Sequence, residues 1–264
     1  MLNSQICPLC SSSLTHQSVN LGRANIYSCK NCKNAWTVPM PRTIDYSSEN
    51  FHKVAIRHVE YSQRRQLQDL PPQWQQALQM QVAFLSKHLR PHASILEIGC
   101  GEGILLEQLQ KQEFHVIGIE PSIEASQHAR SAGIEVRTGY FPDVVPAQAI
   151  DAVILSQVLE HLPDPLETIR NIQKVCPGGK LILIQTNWRG LMPRLLGRKW
   201  YAWVPDQHFW HFTPNGFDYL FQKLGIQVIE VQYSSLVHKR FRVLSNVAAT
   251  FRGWGDQFHL MAQL

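Results

Sequence analysis

Three groups of residues in this sequence have types and spacings that could do chemistry. Four of the six cysteines form two Cys-x2-Cys pairs, three glycines alternate with other residues after an apolar run, and two histidines follow later apolar runs. Thiolates bind metals, glycines let a backbone turn tightly around a ligand, and imidazoles transfer protons. Each group therefore predicts a different kind of site.

The cysteine pairs are Cys7 with Cys10 and Cys29 with Cys32, and 18 residues separate the pairs. This spacing is typical of a zinc site. Four thiolates fill the tetrahedral shell of Zn²⁺ and leave no open position, so we expect a structural metal. The alternative is free or disulfide-bonded cysteines, and the paired spacing in a reducing compartment favours the metal over both. "CPLC" and "CKNC" resemble the knuckles of a zinc ribbon, which we place at residues 1–44.

The glycines follow the apolar run 94–98 as Gly99, Gly101 and Gly103. Three interpretations compete: the turn holds a dinucleotide, a ligand with ammonium and sulfonium groups, or nothing. The dinucleotide fingerprint is G-x-G-x-x-G, whereas the spacing here is G-x-G-x-G. Glu97, just before the turn, would repel a diphosphate and attract a cationic ligand. The spacing and the acid together favour the cationic ligand.

A second acid, Glu120, ends the next predicted strand, 23 residues after Glu97. A carboxylate there can accept hydrogen bonds from both hydroxyls of a ribose. This supports a nucleoside ligand without choosing between the two ligand classes. The alternative is that Glu97 and Glu120 are ordinary surface acids beside a turn without a ligand.

The surrounding pattern alternates short apolar strands with helices, which is typical of an α/β fold with a parallel sheet covered on both faces. A lead-in helix is predicted at 75–89, after a linker and lead-in segment at 45–74. The predicted strands are 94–98, 115–119, 134–137, 149–155, 180–185, 226–231 and 258–264. The other predicted helices are 103–112, 123–132, 165–175 and 214–224.

Four segments together resemble motifs I, II, IV and V of the class I S-adenosylmethionine-dependent methyltransferases: "ILEIGCGEG", "VIGIEPS", "DAVILSQVLEHLPDP" and "PGGKLILIQT". The resemblance covers 94–185, and "HFTPNGFDYLFQKLGIQVIEV" extends it. It implies a methyltransferase domain over 75–264, with a seven-stranded Rossmann-like sheet in the order 3-2-1-4-5-7-6 and an antiparallel last strand. It also implies S-adenosylmethionine as the cofactor.

The resemblance assigns roles to matching positions. Glu97, Gly99 and Gly101 would hold the methionine part of the cofactor, and Glu120 the ribose. The other implied cofactor-binding residues are Cys100, Gly103, Pro121, Ser122, Tyr140, Phe141, Ser156 and Gln157. One position departs from the family pattern, because "RTGYFPD" offers Gly139 and aromatic rings where many relatives place an Asp against adenine.

Two histidines are candidates for the chemistry, His208 and His161. Methyl transfer is an in-line displacement in which alignment contributes most and a general base adds less. His208 follows the fifth strand of the sheet, where this fold receives acceptors, and could act as a base. His161 could act as a base or brace its loop. His211 could support the helix whose start "TPNG" predicts.

The acceptor is expected near residues 188–212, which hold four tryptophans. They could line a pocket, or they could form a lid that packs on its own rings. The interleaved Arg189, Arg194, Arg198 and Lys199 suit an acceptor with phosphate or carboxylate. The layout resembles that of zinc-ribbon methyltransferases from bacterial polysaccharide and secondary-metabolite pathways. We therefore expect a small-molecule or carrier-linked acceptor: a sugar, a lipid or a natural product intermediate.

Two other functions stay open at this point. RNA methylation is the main alternative, because residues 1–44 contain no Asp or Glu and would attract phosphate. A pseudoenzyme that docks partners through the ribbon is weakened by the intact motifs. The segment 234–253 predicts a helix with a basic start that packs on the domain or contacts a membrane surface. No apolar run approaches the length of a membrane span, and we expect a cytoplasmic protein.

Overall fold

The computed structural model describes residues 6–42, 45–47, 66–234 and 253–264. By its internal contacts the chain forms two compact units. One comprises Met1–Thr43, Gln157–Glu167 and Leu183–Gln263, and the other comprises Ile44–Ser156, Thr168–Ile182 and Leu264. The division by motif into 1–44, 45–74 and 75–264 stays a prediction.

Eleven strands lie in the described parts of the chain. They are β1 Thr15–Asn20, β2 Asn25–Cys29, β3 Ala35–Val38, β4 Ser94–Ile98, β5 His115–Glu120, β6 Glu135–Thr138, β7 Ala152–Ser156, β8 Lys180–Thr186, β9 Trp210–His211, β10 Gln227–Ser234 and β11 Gln257–Gln263. They form a four-stranded sheet in the order β1-β2-β3-β9 and a seven-stranded sheet in the order β10-β11-β8-β7-β4-β5-β6.

The α-helices of the described residues lie between these strands. They are α1 Pro72–His88, α2 Ile104–Gln110, α3 Ile123–Ser131, α4 Pro165–Val175, α5 Leu191–Leu196 and α6 Pro214–Gln222. None of them is long and apolar enough to cross a membrane.

The larger sheet has the predicted α/β architecture. Numbered from β4, its order is 6-7-5-4-1-2-3, which is the expected order read from the other edge. The pairs β4–β5, β4–β7 and β5–β6 are parallel, and β11 is antiparallel to β10 as predicted. The strands are short and apolar on both faces because helices cover both, so β7 and β8 are almost entirely buried.

The smaller sheet has no counterpart in the sequence predictions. Its neighbouring strands pair antiparallel, and β3 pairs with β9 through Ala35 with His211 and Trp36 with Trp210. Strands β1 to β3 and the tryptophan-rich segment 188–212 thus belong to one compact unit. Their shared core contains Ile26, Ala35, Trp200, Ala202 and Trp203. The predicted helix at 234–253 lies outside the described residues, apart from its two ends.

Candidate functional site

The glycine turn follows β4, where the chain reverses into α2. Gly99, Gly101 and Gly103 have φ angles of 72°, 55° and 74°, in the left-handed region that favours glycine. A Cβ on Gly103 would lie 3.0 Å from Cβ of Ala129, so this glycine lets α2 begin close to α3. A Cβ on Gly101 would meet nothing within 4 Å. Open space therefore borders the middle of the turn.

Glu120, at the end of β5, is bonded to this turn. Its Oε2 accepts a hydrogen bond from the backbone N–H of Gly101 at 2.8 Å, and its Oε1 accepts one from Ser122 N–H at 2.8 Å. Burial raises the pKa of this carboxyl, while the two backbone hydrogen bonds oppose the rise. The bonds fix the carboxylate beside the glycines.

Glu97, in β4, is the second acid of the site. Its side chain is 3% exposed, and Oε2 has no hydrogen-bond partner among the described residues. Burial, and secondly the charge of Glu120, raises its pKa well above the usual value. A buried carboxylate without a partner is costly, and a cationic ligand would offset that cost. The site therefore offers negative charge to a positively charged group.

Cys100 and Ser122, two other predicted cofactor-binding residues, make structural contacts beside the glycine turn. The thiol of Cys100 packs against β5, where a Cβ on Gly118 would lie 2.3 Å from its Sγ. Burial raises the pKa of this thiol well above its usual value, so it is a neutral filler of the core. The hydroxyl of Ser122 caps α3 by accepting a hydrogen bond from Ala125 N–H at 3.3 Å. Pro121, between Glu120 and Ser122, is half-buried.

The predicted aromatic residues lie after β6. The hydroxyl of Tyr140 donates a hydrogen bond to Asp45 Oδ1 at 2.9 Å and accepts one from Ser47 N–H at 3.2 Å. Burial, and secondly the bond to Asp45, raises the pKa of Tyr140. Its side chain stays 42% exposed. Phe141 is half-buried.

Ser156 ends β7 and Gln157 follows it. Gln157 has a φ of 55°, which is uncommon for a residue with a side chain. Its backbone N–H and its Nε2 both donate to the carbonyl of Ile184, at 2.9 and 3.1 Å. The side-chain amide is therefore folded back onto β8. Such strained positions occur at functional sites, and this one follows the strand end where ligands of this fold class bind.

The two candidate histidines lie together in the other unit. The rings of His161 and His208 are 4.6 Å apart and nearly perpendicular. One nitrogen of each ring and a carboxylate oxygen of Glu160 all lie within 4.8 Å of one another. Burial lowers the pKa of His161 to about 4 and that of His208 well below its usual value, and neighbouring His161 lowers it further. Both rings are thus neutral at pH 7.

Glu160 is an acid of this cluster that the sequence predictions did not single out. It is 2% exposed, and burial raises its pKa to about 7, while the amide of Gln185 acts in the opposite direction. A second missed acid is Glu102, inside the glycine turn, whose Oε1 lies 3.5 Å from Nδ1 of His128. Neither acid has a sequence signal for burial, since Glu102 stands in a turn and Glu160 in a short 3-10 helix, where exposed acids are common.

His211 lies in β9, and its ring is bonded to β3 rather than to the helix start that the sequence suggested it would support. Its Nε2 lies 3.1 Å from the hydroxyl of Thr37, which also donates to the His208 carbonyl at 2.7 Å. Burial lowers the pKa of His211 to about 3. The predicted helix start is confirmed, because Thr213 caps α6 by accepting from Gly216 N–H at 2.9 Å.

The four paired cysteines converge, and none forms a disulfide. Their sulfurs lie within 4.8 Å of one another, with 3.6 Å between Cys7 and Cys32 and 3.5 Å between Cys10 and Cys29. A tetrahedral zinc site with Zn–S bonds of about 2.3 Å needs sulfurs roughly 3.8 Å apart. The hydrogen bond from Cys32 lowers the pKa of Cys7 to about 5. The donor set and spacing fit Zn²⁺.

The strand order and the acidic glycine turn define the class I S-adenosylmethionine-dependent methyltransferase fold. The family model described as "Methyltransferase domain" matches residues 62–231, which is more than half of the sequence. The chain therefore belongs to the methyltransferase domain family.

Similar proteins support this assignment. A ubiquinone biosynthesis O-methyltransferase of Xanthomonas axonopodis pv. citri is 32% identical over 152 residues, and one of Hahella chejuensis is 28% identical over 152 residues. The matches cover 53% and 50% of this chain, and 64% of each relative. The chain thus matches less than two thirds of the length of these relatives.

Solved structures share the fold at low identity. Magnesium protoporphyrin IX methyltransferase of Synechocystis PCC 6803, solved with bound S-adenosylhomocysteine, has a TM-score of 0.57 at 16% identity and covers 83% of this chain and 95% of its own. The plantazolicin methyltransferase BpumL has a TM-score of 0.52 at 18% identity and covers 72% and 83%. At these identities the likeness concerns the fold alone.

Proposed function

We propose that this protein transfers a methyl group from S-adenosylmethionine to a small-molecule or carrier-linked acceptor. The observation that carries the proposal is the glycine turn: Glu120 binds the Gly101 amide, and the partnerless carboxylate oxygen of Glu97 is buried beside it. A dinucleotide would bring a diphosphate to these two acids. S-adenosylmethionine brings an ammonium group and a sulfonium instead.

The two acids would hold opposite parts of the cofactor. Glu97, with Gly99 and Gly101, would accept the ammonium of the methionine part, which would compensate the buried charge. A carboxylate has about four acceptor positions, and backbone amides use two of those of Glu120. The remaining two would accept the ribose hydroxyls.

The remaining predicted residues would border the cofactor less directly. Pro121 and Ser122 would lie beside the adenine, with the exposed face of Tyr140, or Phe141, on its other side. Ser156 and Gln157 would face the methionine end. Cys100 and Gly103 would contribute through the shape of the turn, because one fills the core and the other brings α2 close to α3.

When bound, the cofactor supplies a methyl group on a sulfonium that an acceptor lone pair can attack in line. The protein would align the acceptor and take its proton, if it is a hydroxyl. We propose that His208 accepts this proton, because its neutral ring has a buried Nδ1 without a hydrogen-bond partner among the described residues. His161 would orient His208 by ring contact, or act as the base itself.

The acceptor class rests on relatives and composition. The relatives reported above that share sequence with this chain are named as ubiquinone biosynthesis O-methyltransferases, which supports a small organic acceptor. None of those reported is named for RNA, so the small-molecule acceptor is the better supported one. A sugar, a lipid or a natural product intermediate would fit equally.

We also propose that Cys7, Cys10, Cys29 and Cys32 bind a structural Zn²⁺. Their fourfold convergence supports this. The cysteine-rich segment, residues 6–42, also contributes only Ile26 and Ala35 to the buried cluster that it shares with Trp200, Ala202 and Trp203. With four thiolate ligands the metal would have no open position for catalysis.

Methyl transfer from labelled cofactor tests the function. The purified protein should bind S-adenosylmethionine with one-to-one stoichiometry in calorimetry. Incubated with methyl-labelled cofactor and separated metabolite and RNA fractions of a bacterial extract, it should label the metabolite fraction. Label confined to RNA would contradict the acceptor class, and absence of cofactor binding would contradict the function.

A further inference from the structure

A cavity of about 460 Å³ opens in the unit that contains the cysteine-rich segment. It lies between the β1–β2 hairpin, the second cysteine knuckle and the residues after β8. Its lining residues are His16, Ser18, Ser28, Cys29, Lys30, Lys33, Trp188 and Arg189. This volume falls within the range of about 300 to 1,000 Å³ that small-molecule sites occupy.

The charged residues that line the cavity are all basic. Lys30, Lys33 and Arg189 line it, and none of its lining residues is acidic. Four zinc-bound thiolates would carry a net charge of about −2 and would offset two of these cations. The remaining positive charge would still attract an anion. Arg189 comes from outside the knuckle, so metal binding alone does not explain its place.

The polar groups of the cavity suit a phosphate, and the ring of Trp188 suits a planar group. The hydroxyls of Ser18 and Ser28 lie 2.7 Å apart, and Ser28 Oγ lies 3.2 Å from His16 Nε2. The guanidinium carbon of Arg189 lies 5.8 Å from the centre of the Trp188 ring. An arginine fork binds phosphate oxygens in pairs, lysine adds a point charge, and the indole offers a stacking surface.

We propose that this cavity binds the phosphate group of a phosphorylated small molecule, with a nucleoside diphosphate as the best-fitting class. Lys30 and Arg189 contact the phosphates, and Trp188 stacks on the planar end. That this ligand is the carrier of the methyl acceptor rests on the proposed function, whereas the anion site itself does not. The cysteine-rich segment thereby becomes a ligand-binding element in addition to a structural one.

Calorimetry on the zinc-loaded full chain tests the site, with inorganic pyrophosphate and uridine diphosphate as probes at fixed ionic strength. Both should bind at one site per chain, and uridine diphosphate should bind more tightly because of the ring. The double variant Lys30→Gln, Arg189→Gln should lose about tenfold or more in affinity, since charge-assisted hydrogen bonds are removed.

The matched control is Lys223→Gln, which removes a cation of the same unit that lies over Tyr219 and does not line the cavity. It should change affinity less than about twofold, as expected for a remote surface charge. Equal losses in control and double variant, or no saturable binding by either probe, would overturn the site. An RNA oligonucleotide that binds more tightly than uridine diphosphate would overturn the small-molecule assignment.

Cofactor binding, measured on the same samples, separates this proposal from the proposed function. The cavity variants should bind S-adenosylmethionine like the unchanged protein and keep their zinc, which shows that they are folded. Pyrophosphate binding without cofactor binding would refute the methyltransferase proposal and leave the anion site standing. Cofactor binding without phosphate binding would refute the anion site and leave the methyltransferase proposal standing.

Discussion

Glu120 Oε2 lies 2.8 Å from the backbone nitrogen of Gly101, so the end of β5 holds the middle of the glycine turn. Glu120→Gln would place an amide NH₂ opposite one of two backbone N–H donors and remove the charge. We expect about a 10- to 100-fold loss in S-adenosylmethionine affinity, because the hydrogen bonds from the two backbone N–H groups lose the charge of the carboxylate. Calorimetry measures it. Glu135→Gln, at an exposed acid of β6, is the control and should bind normally.

Glu97→Gln should have effects of opposite sign on cofactor affinity and on stability. The pKa of Glu97 is raised in the folded chain, so the folded state loses stability as pH rises from the unfolded pKa, near 4.5, through the raised one. A neutral amide removes that loss. The variant should therefore be more stable than the unchanged protein above that window and equally stable at lower pH.

Thermal unfolding without cofactor across this pH range measures the stability effect, and calorimetry measures the affinity. Binding should weaken about tenfold or more, because the ammonium loses its counter-charge. A variant that binds the cofactor normally would remove Glu97 from the site. Equal stability differences at acidic and neutral pH would show that its charge is not the cause.

His208→Gln should lower turnover by about 10²- to 10⁴-fold, the usual contribution of a general base, with cofactor affinity unchanged. Burial keeps the pKa of His208 well below 6.5, so the ring stays neutral and able to accept a proton as pH falls below 6.5. Turnover of the unchanged protein should persist there. The experiment requires an acceptor, identified by the labelling described above.

His211→Gln is the matched comparison, because this neighbouring buried ring is hydrogen bonded to Thr37. It should reduce stability more than turnover per folded molecule. If both variants lose turnover equally, or if His208→Gln retains it, His208 is not the base and His161 becomes the candidate.

The sequence predicted the larger sheet and the glycine turn well, because both depend on local pattern. The runs around Glu97 and Glu120 are short and apolar, and glycines at positive φ mark the turn. A strand order shared by a family follows once the family is identified. The convergence of the four cysteines was equally predictable, since two Cys-x2-Cys pairs at this separation are typical of metal sites.

Long-range packing could not be predicted in the same way. The two-residue strand β9 is too short to have a periodicity, and its pairing with β3 depends on residues about 175 positions away. The bond of Tyr140 to Asp45 joins residues 95 positions apart. The burial of Glu160 reverses the usual exposure of acids, and only the surrounding fold produces it.

Asn34→Ala should destabilise the protein by about 1–3 kcal/mol. Its Oδ1 accepts from Thr213 N–H at 3.3 Å and its Nδ2 donates to the Gly216 carbonyl at 3.2 Å, both buried. The substitution leaves both groups unsatisfied. Gln17→Ala is the control, because Gln17 makes an exposed bond to Asn25 and should cost less than about 0.5 kcal/mol. Denaturant unfolding of both variants measures the difference.

Removal of zinc should unfold the cysteine-rich segment and destabilise the elements that pair with it. The metal fits four converging sulfurs, and β3 of this segment pairs with β9. Cys32→Ser should therefore reduce bound zinc, expected at one ion per chain by mass spectrometry, and lower the melting temperature. Cys176→Ala removes a buried thiol elsewhere, which bonds the Ile150 carbonyl, and should keep the zinc. Zinc retained by Cys32→Ser, or absent from the unchanged protein, would contradict a four-cysteine site. A strong chelator should mimic Cys32→Ser, because thiolate binding and folding of such a segment are one equilibrium.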